Sequence, residues 1–134
     1  MNDKKPSILL VEDEYLPGIH LKTMLVREGH EVYGPAASAD EAIGLARSKR
    51  PDVILMDIRL AGAEDGIETA REILDFCDAA LIFMSGYQER VVREKAMTLS
   101  PLAFLVKPVM LRDIKAVLAK YEAPDASSDR TAPK

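Results

Sequence analysis

Tryptophan is absent from this 134-residue chain and aromatic residues make up only 5% of it, so any core must be mostly aliphatic. There is one cysteine, Cys77, which excludes an internal disulfide and a cysteine-based metal cluster and fits a reducing compartment. Cationic residues are not in excess: the net charge is −4, which argues against nucleic-acid binding through bulk charge. No apolar run approaches the roughly 20 residues that a membrane span needs. The start of the chain, Met1 to Pro6, lacks the apolar stretch and cleavage site of a signal peptide, so a cytoplasmic domain is the default. What is present is 48% hydrophobic residues on a length suited to one domain with a sizeable core.

The most informative stretch is Pro51 to Asp57, in which an apolar, partly β-branched run ends abruptly on a carboxylate. A run without polar alternation suits a strand buried on both faces, as in the middle of a parallel sheet. Ser7–Val11, His30–Ala37, Ala79–Met84 and Leu102–Val106 are the other predicted strands. Predicted helices lie between and after them, over Glu14–Glu28, Ser38–Arg50, Gly66–Phe76, Gln88–Leu99 and Met110–Tyr121. On the first, Leu16, Ile19, Thr23 and Val26 fall near one face. Ser38 with Glu41 three residues on forms a capping box, and Pro51 disfavours helix at the residue before it. The last helix carries Leu111, Ile114, Leu118 and Tyr121 on one stripe. Residues 1–6 form an N-terminal extension, residues 7–121 the domain, and the polar tail 122–134 is expected to be disordered. Five strands alternating with five helices imply an α/β fold, a parallel sheet covered on both faces.

In such a sheet all strand C-termini share one edge, where ligands bind. That edge collects Glu12 and Asp13 after the first strand, Asp57 after the third, Ser85 after the fourth and Lys107 after the fifth. Each has an ordinary explanation alone: acids at a helix start, a turn before Gly86, a surface lysine before Pro108. Their convergence from distant sequence argues for one site. Two carboxylates about 5 Å apart repel by roughly 3 kcal/mol at an effective dielectric near 20, so three such groups call for a cation or raised pKa values. The donors are hard oxygens, which makes Mg²⁺ (or Mn²⁺) the natural candidate. A carboxylate held beside Mg²⁺, an ammonium and a hydroxyl is equipped to attack phosphorus and form an aspartyl-phosphate.

These residues, together with Met84-Ser85-Gly86 and Phe104-Leu105-Val106-Lys107-Pro108, resemble the receiver domain of two-component response regulators over roughly Ser7 to Tyr121. The resemblance implies a doubly wound, flavodoxin-like sheet of order 2-1-3-4-5. It makes Asp57 the phospho-acceptor. Mg²⁺ would be held by Glu12 (through water), Asp13, Asp57 and the backbone carbonyl of Arg59. Ser85 and Lys107 would bind the phosphoryl group, Ser85 and Phe104 would form the switch, and Pro108 would follow a cis peptide bond. A plain core ring is the alternative for Phe104. The implied function is a stand-alone, phosphorylation-controlled module and not an enzyme with its own substrate. It would take its phosphoryl group from a histidine kinase or phosphotransfer protein, and its fourth-helix, fifth-strand, fifth-helix surface would act on an unknown downstream protein.

Three departures from the family pattern stand out. Ala61 replaces a usual proline, and Gly66 falls nine residues after Asp57 instead of eight, so the loop Ile58–Asp65 is one residue longer. Bulky Arg59 and Tyr87 occupy the positions flanking the path of hydrolytic water, which predicts slow self-dephosphorylation. No output domain is expected after Tyr121. Two rivals remain: a degenerate receiver acting as an interaction scaffold, and a phosphohydrolase of the haloacid dehalogenase type. The latter wants a second Asp where Arg59 stands. His20 and His30 are isolated and are assigned no phosphotransfer role.

Overall fold

The computed structural model describes residues 5–60, 65–86 and 90–121. Five strands, β1 (Ile8–Val11), β2 (Val32–Ala36), β3 (Val53–Asp57), β4 (Ala80–Ser85) and β5 (Ala103–Val106), form one parallel sheet in the order β2-β1-β3-β4-β5. The helices are α1 (Tyr15–Arg27), α2 (Ala39–Lys49), α3 (Gly66–Leu74), α4 (Arg90–Met97) and α5 (Leu111–Leu118). The doubly wound order expected from the sequence is therefore present. The expectation of a disordered tail over 122–134 and the inserted segment 61–64 lie outside the described residues.

Alternation along the strands builds two cores. Leu9, Val11, Ile54, Met56, Leu81 and Phe83 face α2, α3 and α4, whereas Ile8, Leu10, Val53, Leu55, Ile82 and Met84 face α1 and α5. Both faces are covered, which is why β1 and β3 read as unbroken apolar runs. Local chemistry sets the helix ends. Ser38 Oγ accepts from Glu41 N at 3.2 Å while the Glu41 carboxylate accepts from Ala37 N at 2.9 Å, one residue before the cap. Arg50 closes α2 in the left-handed region at φ 49, and Asp65 Oδ1 caps α3 by accepting from Ile67 N at 2.8 Å.

On α1 the face noted in the sequence is not the buried one. Leu16 is 75% exposed and Val26 49%, with Thr23 exposed and Ile19 half-buried, while the buried stripe is Gly18, Leu21 and Leu25. Two stripes of similar spacing compete on this helix. The buried one carries Gly18 over the end of β2, where a Cβ would lie 3.0 Å from the Pro35 ring. There the Gly34–Pro35 peptide is cis and the β1–β2 ladder slips between Leu9 and Val11.

Candidate functional site

The strand ends converge as their positions in the sequence predict. Asp57 is the last residue of β3 and Ser85 the last of β4, and they are 4% and 3% exposed. Glu12 follows β1 and is also buried at 4%, held as a continuation of that strand by its N–H to Ala36 O at 2.9 Å. Asp13 beside it is half-buried. Lys107 follows β5, where its N–H donates to Ser85 O at 2.7 Å, and the Lys107–Pro108 bond is cis.

One ammonium joins two of the acids. Lys107 Nζ lies 2.7 Å from Asp57 Oδ2 and 2.8 Å from Glu12 Oε1. The other oxygens are held by backbone: Asp57 Oδ1 accepts from Arg59 N at 3.1 Å, and Glu12 Oε2 from Glu14 N at 3.2 Å. Burial pushes Glu12 from 4.5 up to about 7, and the nearby Asp57 charge adds to this, while the hydrogen bond from Lys107 works against it. For Lys107, burial alone would lower the pKa, but its bonds to Asp57 and Glu12 outweigh that and raise it. Oxygens of Glu12, Asp13 and Asp57 all lie within 4.8 Å of one another. Three converging carboxylates against a single ammonium leave excess negative charge in a buried place. This hard, all-oxygen donor set fits a divalent cation such as Mg²⁺.

Of the remaining predicted positions, Arg59 is exposed at its side chain and bridges to Asp65 across the base of the loop. Phe104 is half-buried on β5 and packs on the α4 side of the sheet, with the Arg93 guanidinium 5.2 Å from its ring centroid. Tyr87 lies outside the described residues.

Three features were not anticipated. Gly66, noted in the sequence only for its displaced spacing, starts α3 against the backbone of Asp57. A Cβ there would run into the Asp57 carbonyl, and Gly66 N donates to Ile58 O at 2.7 Å. Its signal was a glycine opening a helix right after a capping aspartate. Second, an open groove of about 780 Å³ runs from Glu12 and Lys107 between α1 and the start of α5, lined by Pro17, His20, Leu21, Met24, Val109 and Met110. Third, Lys95 of α4 reaches Asp65 at 3.5 Å and Glu68 at 3.7 Å, tying that helix to the start of α3. The last two features depend on side chains meeting across elements, which no local pattern encodes.

Comparison with known proteins agrees with this geometry. The family model described as the response regulator receiver domain matches residues 8–119. The transcriptional regulatory protein PdtaR of Mycobacterium tuberculosis is 35% identical over 107 residues, covering 80% of this chain and 52% of that protein. Sporulation initiation phosphotransferase F of Bacillus subtilis is 30% identical over 123 residues, covering 90% of this chain and 94% of that protein. The signal receiver domain of a modulated diguanylate cyclase from Desulfovibrio desulfuricans G20 superposes with a TM-score of 0.78 at 33% identity, covering 86% of this chain and 91% of that one. The chain spans about half the length of the first curated relatives it matches. With a fold of order 2-1-3-4-5, an acid-and-lysine cluster at its strand ends and this family match over nearly all of its described residues, the chain belongs to the response regulator receiver domain family.

Proposed function

We propose that Asp57 is the acceptor of a phosphoryl group carried by a phosphohistidine on a kinase or phosphotransfer protein. The observation that carries this is the buried contact of Lys107 with both Asp57 and Glu12 at 2.7 and 2.8 Å. An Asp57 carboxylate oxygen attacks phosphorus, the P–N bond to the donor imidazole breaks, and the imidazole leaves with the electron pair. Lys107 neutralises charge building on the phosphoryl oxygens, and Ser85, at the adjacent strand end, donates a hydrogen bond to one of them. Glu12, Asp13, Asp57 and the Arg59 carbonyl would hold Mg²⁺, whose chemistry when bound is to offset the phosphoryl charge.

The donor docks in the groove between α1 and the start of α5, because that apolar surface opens onto Glu12 and Lys107. Tyr15 and Leu16, exposed at the head of α1, lie in the chain between Glu14 and Pro17 of its lining. Output passes through α4, β5 and α5. Phosphorylation draws Ser85 inward, Phe104 follows, and α4 is released from its present contacts. The exposed Arg59 side chain slows hydrolysis by crowding the approach to Asp57, so Arg59→Asn should shorten the phosphate lifetime several-fold in a radiolabel decay assay. Among the described residues no helix is long and apolar enough to cross a membrane, and we place the domain in the cytoplasm.

The test is mass spectrometry after incubation with acetyl phosphate, with and without Mg²⁺, on wild type and Asp57→Asn. A Mg²⁺-dependent gain of one phosphoryl group, lost in the variant, is the expected result. The same adduct on Asp57→Asn would overturn the assignment, and no adduct from any donor would favour the scaffold reading.

A further inference from the structure

The chain that leaves β3 departs from the family pattern in length, with Gly66 nine residues after Asp57, yet it closes back on itself beside the strand end. Three contacts close it. Gly66 N donates to Ile58 O at 2.7 Å, Arg59 and Asp65 pair as an antiparallel bridge, and Asp65 Oδ1 accepts from Ile67 N at 2.8 Å at the start of α3. On the strand side, Arg59 N donates to Asp57 Oδ1 at 3.1 Å. Ile58 and Arg59 are therefore hooked to the start of α3 on one side and to the Asp57 carboxylate on the other. A glycine is what permits this closure. A Cβ at position 66 would overlap the Asp57 carbonyl oxygen and lie 2.9 Å from both the Asp57 carbonyl carbon and Ile58 Cα, all of them backbone atoms.

Neither side can give way without disturbing the carboxylate. Asp57 ends a central strand in register with Met84, and Ile58 N is bound to Met84 O at 3.0 Å. Were this strand end to shift, Asp57 Oδ2 would leave Lys107 Nζ, now 2.7 Å away. Were the start of α3 to retreat instead, its bonds to Ile58 and Arg59 would draw that pair outward and take Arg59 N off Asp57 Oδ1. We propose, resting on the reading of Asp57 as the phospho-acceptor, that Gly66 is a positioning residue: its close approach to the Asp57 carbonyl closes the loop behind Arg59 and keeps the Arg59 N–H on the acceptor carboxylate. Extra length between Arg59 and Asp65 lies beyond this closure and leaves the acceptor undisturbed, whereas a single methyl at position 66 does not.

The experiment reads two quantities on the full chain: the rate of phosphorylation by acetyl phosphate at saturating Mg²⁺, and amide hydrogen exchange at Arg59 by NMR in the unphosphorylated protein. Gly66→Ala should slow phosphorylation about tenfold and speed Arg59 exchange about tenfold, the sizes expected from a small misplacement of a reacting group and from loss of a hydrogen bond to a carboxylate. Ala70→Gly, which weakens the same helix away from Asp57, should melt lower and leave both quantities unchanged. Deleting Ala63, within the span that the bridge encloses, should also leave both unchanged. Asp65→Ala frays the start of α3 without adding an atom and should move both in the direction of Gly66→Ala by about twofold. It carries the test if Gly66→Ala does not fold. Unchanged phosphorylation or unchanged Arg59 exchange in these two variants, or equal effects from Ala70→Gly or the Ala63 deletion, would overturn the inference while leaving Asp57 the acceptor. A wild type that takes up no phosphoryl group would overturn the acceptor reading, and Arg59 exchange would still decide whether Gly66 positions the carboxylate.

Discussion

The centre of the sheet and its β5 edge are built to different standards. Every residue of β1 and the first four of β3 are fully buried, with helices on both sides. Along β5 all four residues are only half-buried, and on α4 Ala96 alone is fully covered. Asp57 and Glu12 hang from the rigid part, Phe104 and α4 from the loose one. α4 is attached by a shallow base of Val92, Ala96 and Leu99 and by two cations at its flanks, Arg93 on the Phe104 ring and Lys95 on Asp65 and Glu68. On the proposed reading, a phosphoryl group bound at the centre would meet a frame that does not yield, and its charge would be relieved by movement at the edge. The division of labour follows from where burial is dense and where it is thin.

The sharpest way to break this comparison is to truncate one apolar side chain in each region. Leu55→Ala on β3 should cost about 2–5 kcal/mol, read from the denaturation midpoint in urea. Val92→Ala under α4 removes fewer buried atoms and should cost about 1 kcal/mol. Equal losses would mean that the edge is as well packed as the centre.

Charge offers a second cut. Because Glu12 titrates near 7 in the folded chain and near 4.5 unfolded, the folded state binds the extra proton. The metal-free protein should therefore lose stability as pH rises from about 4.5 to 7 and level off above that window. Melting temperatures across this range should slope downward for wild type and flatten for Glu12→Gln. Added Mg²⁺ should reduce the slope by favouring the ionised carboxylate.

The smallest effects belong to the edge. Arg93→Met should cost about 0.5–1 kcal/mol, the range of an exposed cation–π contact. Hydrogen exchange should quicken in α4 and leave β3 unchanged, and faster exchange in both would erase the distinction. Lys95→Gln should cost less, about 0.5 kcal/mol or under, since its partners are exposed and salt-screened.

Much of this protein is determined by its sequence alone. Apolar runs ending on Glu12, Asp57, Ser85 and Lys107 mark strands whose chemistry lies at one edge, because parallel strands joined by short right-handed crossovers must align their ends. Ser38 with Glu41, and Pro51 after Arg50, set helix limits by local hydrogen bonding and sterics. The buried face of α1 was decided elsewhere. Leu16 and Val26 satisfy helical periodicity as well as Leu21 and Leu25 do, and it is packing against the sheet and α5 that buries the second pair. The same holds for Gly66 against the Asp57 carbonyl, for the groove beside α1 and for the cations that clamp α4. Each is a meeting of atoms far apart in the chain, and periodicity reports which residues share a face but not what that face will touch.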